Sequence, residues 1–108
     1  MRKKIEFEVQ IDENHLPKKI SIDTSDSFVK EKDLKALFVS AWQSKKKETL
    51  RIDLWTKDMP VNDMFIFFHQ SLLSMAQNLE KSTGHEKLAG ALRDYCEFFA
   101  EQTQIKAK

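Results

Sequence analysis

Thr49-Leu50-Arg51-Ile52-Asp53-Leu54-Trp55-Thr56-Lys57-Asp58-Met59-Pro60-Val61 decides the fold, because the hydrophobic period changes inside it. Leu50, Ile52 and Leu54 alternate with Arg51, Asp53 and Trp55, the period of two that marks a strand. Beyond Pro60 the apolar residues recur every three or four positions, at Val61, Met64/Phe65, Phe68, Leu72, Met75/Ala76 and Leu79. That spacing is the stripe of an amphipathic helix. Pro60 suits a first helical turn, where a missing N–H costs nothing. Asp58 and Asp63 place negative charge near the positive end of the helix dipole. Gly84 offers a left-handed cap, and Thr83 and Glu86 have capping-box spacing for a second helix. The stripe of that helix is Leu88, Ala91/Leu92, Tyr95 and Phe98/Phe99, and the polar tail after Gln102 is expected to fray.

Upstream, Ile5, Phe7, Val9 and Ile11 alternate with Glu6, Glu8 and Gln10, a half-buried strand. Asp12-Glu13-Asn14-His15 is turn-prone, and Ile20 and Ile22 then make a short second strand of a hairpin. Thr24 to Asp33 reads as a loop. Leu34 to Trp42 carries apolar residues at both parities. A short helix would accept Ala36 and Leu37, but Phe38, Val39 and Trp42 favour a strand. Ser44 to Lys47, with the basic tip Lys45-Lys46-Lys47, forms a charged turn into the strand of the opening stretch.

The expected fold is α+β in a single domain, residues 1–108. Strands at roughly 4–11, 18–23, 34–43 and 48–55 form one antiparallel four-stranded sheet of two hairpins. Two long antiparallel helices at roughly 60–82 and 85–103 pack on one of its faces. Two helices cover one face of a sheet, so apolar residues are left over. Phe38 and Trp42 project from one side of the third strand, and Ile66, Phe67 and Leu73 lie off the main stripe of the first helix. Apolar patches of this kind mark partner surfaces, and a homo-oligomer is the simplest occupant.

Composition excludes several classes. The 108 residues carry 18 Lys and Arg against 17 Asp and Glu, a net charge of +1, without the basic excess that displaces counterions from nucleic acid. One cysteine makes no internal disulfide. No stretch reaches the roughly 20 apolar residues of a membrane span, and the basic start Met1-Arg2-Lys3-Lys4 is followed by no apolar segment. A cytoplasmic protein is expected.

Chemistry-bearing residues do not converge. His15, His69 and His85 lack a second ligand at metal spacing. Cys96 falls in mid-helix beside Glu97 and reads as a small buried hydrophobe. Asp53, Asp58 and Asp63 straddle a strand end, a loop and a helix start, where capping accounts for two of them. Two glycines, at 84 and 90, cannot build a phosphate loop. No enzyme activity, cofactor or metal is expected.

The run from Arg51 to Val61, with Met64, Met75-Ala76 and Thr83-Gly84, resembles the gliding-motility-associated protein C family (GldC). Asp12-Glu13-Asn14, Pro17, Ile20 and Asp26 fit the opening of that family, Ala41-Trp42 its middle and Phe98-Phe99 its end, so the resemblance covers nearly the whole chain. It implies a small cytoplasmic accessory of a gliding and secretion machine, with no reaction or cofactor attached. Neither core packing nor helix initiation requires Arg51, Asp53, Trp55 or Lys57. Trp and Arg are residue types that anchor interfaces, so these four are expected to contact a partner subunit or an unidentified protein of that machine. An alternative is an export chaperone like SecB, which shares the order of four strands and two helices and holds unfolded chains on exposed apolar surface.

Overall fold

The alternating segments form five strands rather than four. The computed structural model describes residues 1–26 and 28–105. They comprise β1 (Ile5–Ile11), β2 (Pro17–Thr24), β3 (Lys30–Leu34), β4 (Ala36–Gln43), β5 (Glu48–Trp55), α1 (Val61–Thr83) and α2 (Glu86–Thr103). Two compact units divide the chain, Met1–Met59 with the strands and Pro60–Lys108 with the helices. The α+β class stands. The single four-stranded sheet does not: β1, β2 and β3 make one antiparallel sheet, in that order, and β4 and β5 make a separate two-stranded one.

β3 falls where a loop was expected. Lys30-Glu31-Lys32-Asp33 has no apolar alternation because this edge strand is exposed on both faces, from Lys30 through Asp33. Charged edges of this kind block pairing with other chains. The turn into β3 is built on Thr24, which is buried. Its hydroxyl donates to Asp26 Oδ1 at 2.6 Å and accepts from the Val29 N–H at 3.2 Å, while the Thr24 N–H donates to the Val29 carbonyl at 3.1 Å. Ser27, inside the expected loop, lies outside the described residues. With β3 in place β2 is the central strand, and Ile20 is fully buried there, paired with Val9 on one side and Leu34 on the other.

The β1–β2 turn is held by Asp12, whose Oδ1 accepts from the Asn14 and Leu16 N–H groups at 2.8 and 3.0 Å. His15 takes the left-handed conformation there (φ 61°). The third expected strand is a strand and not a helix, and Lys45-Lys46-Lys47 form the turn between β4 and β5, as expected.

α1 and α2 form an antiparallel hairpin around Gly84, the left-handed cap (φ 72°) whose N–H donates to the Glu80 carbonyl at 2.8 Å. The capping box does not form. Instead the Thr83 hydroxyl donates back to the Leu79 carbonyl at 2.6 Å, and His85 caps α2 by accepting the Leu88 N–H on Nδ1 at 3.2 Å. His69, Ala76, Ala89 and Cys96 are buried in the hairpin. His69 stacks on Phe99 and Phe65 meets Phe99 edge-on, each at 6.2 Å between centroids. Arg93 pairs with Glu80 at 2.8 Å. His69 is thus a core residue. The expected core stripes split: Val61, Phe68 and Met75 on α1, and Leu88, Tyr95 and Phe98 on α2, are exposed. α2 runs to Thr103 with Gln104 as a left-handed cap; of the tail expected to fray, residues 106–108 lie outside the described residues.

Candidate interaction face

The register of β4 against β5 decides which side chains share a face. Ala36 pairs with Trp55, Phe38 with Asp53, Ser40 with Arg51 and Trp42 with Thr49. Side chains alternate along a strand, so Phe38, Ser40 and Trp42 of β4 lie beside Thr49, Arg51, Asp53 and Trp55 of β5. Five residues singled out from sequence, Phe38, Trp42, Arg51, Asp53 and Trp55, therefore converge on one face of this ribbon. Lys57 does not join them. It lies past the end of β5 and pairs with Asp12 Oδ2 at 3.3 Å. Ile66, Phe67 and Leu73 stand on α1; Ile66 and Phe67 are half-buried and Leu73 is exposed.

Polar contacts order the middle of the face. The Arg51 guanidinium grips Asp53 two residues on, Nη2 to Oδ1 at 2.8 Å and Nε to Oδ2 at 3.2 Å. Its Nη1 donates to Ser40 Oγ across the strands at 3.0 Å. The Asp53 carboxylate raises the guanidinium pKa through this bidentate bond and its charge. Trp42 and Trp55 flank the pair and are 63% and 55% exposed.

The opposite face carries Leu37, Val39 and Ala41 beside Leu54, Ile52 and Leu50. Although this is the apolar side of the alternation, Leu50 and Ile52 are 59% and 53% exposed. A two-stranded sheet shields little of its own apolar surface, and such hairpins are marginal in water.

The remaining candidates are held by structural partners. A hollow of about 600 Å³ is lined by Asp12, Asn14, Pro17, Thr56, Lys57 and Asp58 among others. The Leu16 N–H foremost holds the Asp12 carboxyl below its ordinary pKa. The Thr56 hydroxyl foremost, at 2.6 Å, and then the Lys35 ammonium, at 3.0 Å, do the same for Asp58. Both carboxylates are stabilised in the ionised form, opposite to the raised pKa of a general acid. Asp53 is bound to Arg51, and Asp63 sits in the first turn of α1. Burial raises the Cys96 thiol pKa, which makes it a poor nucleophile. Among the described residues no three His, Cys, Asp or Glu are grouped to hold a metal ion, and no helix is long and apolar enough to cross a membrane.

Sequence reasoning missed Ser40 as the partner of Arg51, Asp12 as that of Lys57 and Lys35 as that of Asp58. Counting back from the four-residue turn Ser44–Lys47 would have placed Ser40 opposite Arg51. No sequence signal pairs the other two.

A protein-family model described as gliding motility-associated protein GldC-like matches residues 17–105. No curated protein and no solved structure gave a match.

Proposed function

Since the chain belongs to the GldC-like family of gliding-motility-associated proteins, we propose that it is a non-enzymatic interaction module, homo-oligomeric and cytoplasmic, serving a motility or secretion machine. The observation that carries this reading is the β4–β5 ribbon. One face presents Trp42 and Trp55 around an ordered Arg51–Asp53 pair, and the other presents Leu50 and Ile52, all exposed. Soluble monomers seldom leave such surface in water, and Trp and Arg dominate the energetics of interfaces. The ionised, partnered state of Asp12 and Asp58 supports a binding role over acid–base chemistry.

Affinity capture with the tagged chain from its native cells, quantified by mass spectrometry, tests the reading. Trp55→Ala and Trp42→Ala are expected to lose the proteins that the wild-type chain captures while their thermal unfolding stays unchanged. Unchanged capture by both variants would exclude this face as the contact. Suppression of aggregation of unrelated unfolded proteins would point instead to a holding chaperone of the SecB kind.

A further inference from the structure

We propose that β5 pairs antiparallel with the β5 of a second copy across a two-fold axis at Ile52, joining two two-stranded ribbons into one four-stranded sheet. The inference rests on the reading of the chain as a homo-oligomeric module and names which edge mates.

The backbone sets the allowed registers. In an antiparallel ladder, residues alternately turn both N–H and C=O toward one neighbour and then toward the other. The Thr56 N–H donates to the Lys35 carbonyl at 2.8 Å, one step beyond the Trp55–Ala36 pair. Thr56, Leu54, Ile52 and Leu50 therefore turn their backbone groups toward β4. Thr49, Arg51, Asp53 and Trp55 turn theirs toward the edge, which no strand among the described residues occupies. A second β5 must bond outward-facing residues to outward-facing residues.

The side chains then select one register. Leu50-Arg51-Ile52-Asp53-Leu54 is a palindrome in chemical type about Ile52. With Ile52 on the axis, Arg51 faces Asp53 of the second copy twice over, both as hydrogen-bonded pairs. On the other face Leu50 meets Leu54, again twice, and Ile52 meets its own copy. Trp55 covers Thr49. A slip of one step to either side places Arg51 on Arg51 or Asp53 on Asp53, and like charges directly opposite are destabilising.

The other edges are less suited to mating. On β3 the same rule brings Lys30 to Lys32 or Glu31 to Asp33. On β1 it brings Glu6 against Glu6, Glu6 against Glu8 or Glu8 against Glu8, except in the register where Glu8 meets Gln10. β4 has no charge from Ala36 to Trp42 to choose a register. A partner strand would complete a ribbon that alone is marginal and would add contacts over its exposed Leu50 and Ile52.

Sedimentation of the purified full chain over a range of concentrations reads the association. Wild type is expected to dimerise. Arg51→Asp and Asp53→Arg each weaken dimerisation by about tenfold or more, because two attractive cross-strand pairs become two repulsive ones, and the combined swap restores it. Asp53→Pro deletes an outward-facing N–H while sparing the bonds to β4, so it abolishes the dimer and keeps the circular dichroism of the fold. Ile52→Cys oxidises to a covalent dimer and Leu50→Cys does not, since only residue 52 meets itself. A dimer that survives Asp53→Pro, or a swap that fails to rescue, overturns the β5 pairing and leaves the interaction reading standing. A wild-type chain that stays monomeric overturns both the pairing and the homo-oligomer.

Discussion

The two sheets start from the same unit, an antiparallel hairpin of seven- or eight-residue strands, and end differently. The first gains β3, and its central strand buries Ile20 completely. The second gains no further strand among the described residues, and no residue of β4 or β5 is fully buried. β3 is polar apart from Leu34 and brings little apolar surface of its own. Its contribution is to make β2 a central strand. Hydrophobic content therefore does not decide which hairpin acquires a core. β4 and β5 are the more apolar pair and the less buried one.

That contrast can be attacked by mutation, most forcefully at the two isoleucines. Ile20→Ala is expected to cost about 2–5 kcal/mol, the range for truncating a buried side chain. Ile52→Ala, measured on dilute protein, is expected to cost about 0.5 kcal/mol, typical of an exposed site. Urea unfolding of both variants gives the comparison directly. Equal losses would mean that the ribbon is buried in solution and the contrast is false.

A smaller effect is expected at the turn that delivers β3. Thr24→Val removes the hydroxyl that bonds Asp26 and the Val29 N–H, a loss of about 1 kcal/mol per hydrogen bond. Amide exchange should then speed up in β3 while β4 and β5 keep their wild-type rates.

Acid gives the mildest test. Asp26 and Asp58 are both held below their ordinary value of 3.8, Asp26 foremost by the Thr24 hydroxyl and then by Lys3, Asp58 foremost by Thr56 and then by Lys35. A carboxyl whose pKa is lower folded than unfolded stabilises the native state above its unfolded pKa. That stabilisation fades as the pH falls through the folded value. Unfolding midpoints are therefore expected to drop below about pH 4. Asp26→Asn and Asp58→Asn should each flatten part of that slope, and an unaltered slope in both would show that neither contact survives in solution.

Five of the seven elements were legible because each one alternates or recurs against a polar background; β5, with its strict Leu50, Ile52, Leu54 spacing, has the expected ends, residues 48 to 55. β4 was harder, since residues apolar at both parities fit a strand or a buried helix. β3 was invisible for a physical reason: an edge strand exposed on both faces from Lys30 through Asp33 carries no hydrophobic period. Arg51, Asp53 and Trp55 were picked out by residue type alone, and only the hairpin register places Phe38 and Trp42 beside them. Lys57 was misplaced because its partner, Asp12, is 45 residues away in sequence, a separation no local pattern encodes.

Cys96, the sole cysteine and enclosed by the helical hairpin, has a practical consequence. A thiol reagent finds no other target on the native chain, so its rate of labelling clocks how often α1 and α2 part. The molecule carries its own stopwatch for that motion, with no cysteine introduced.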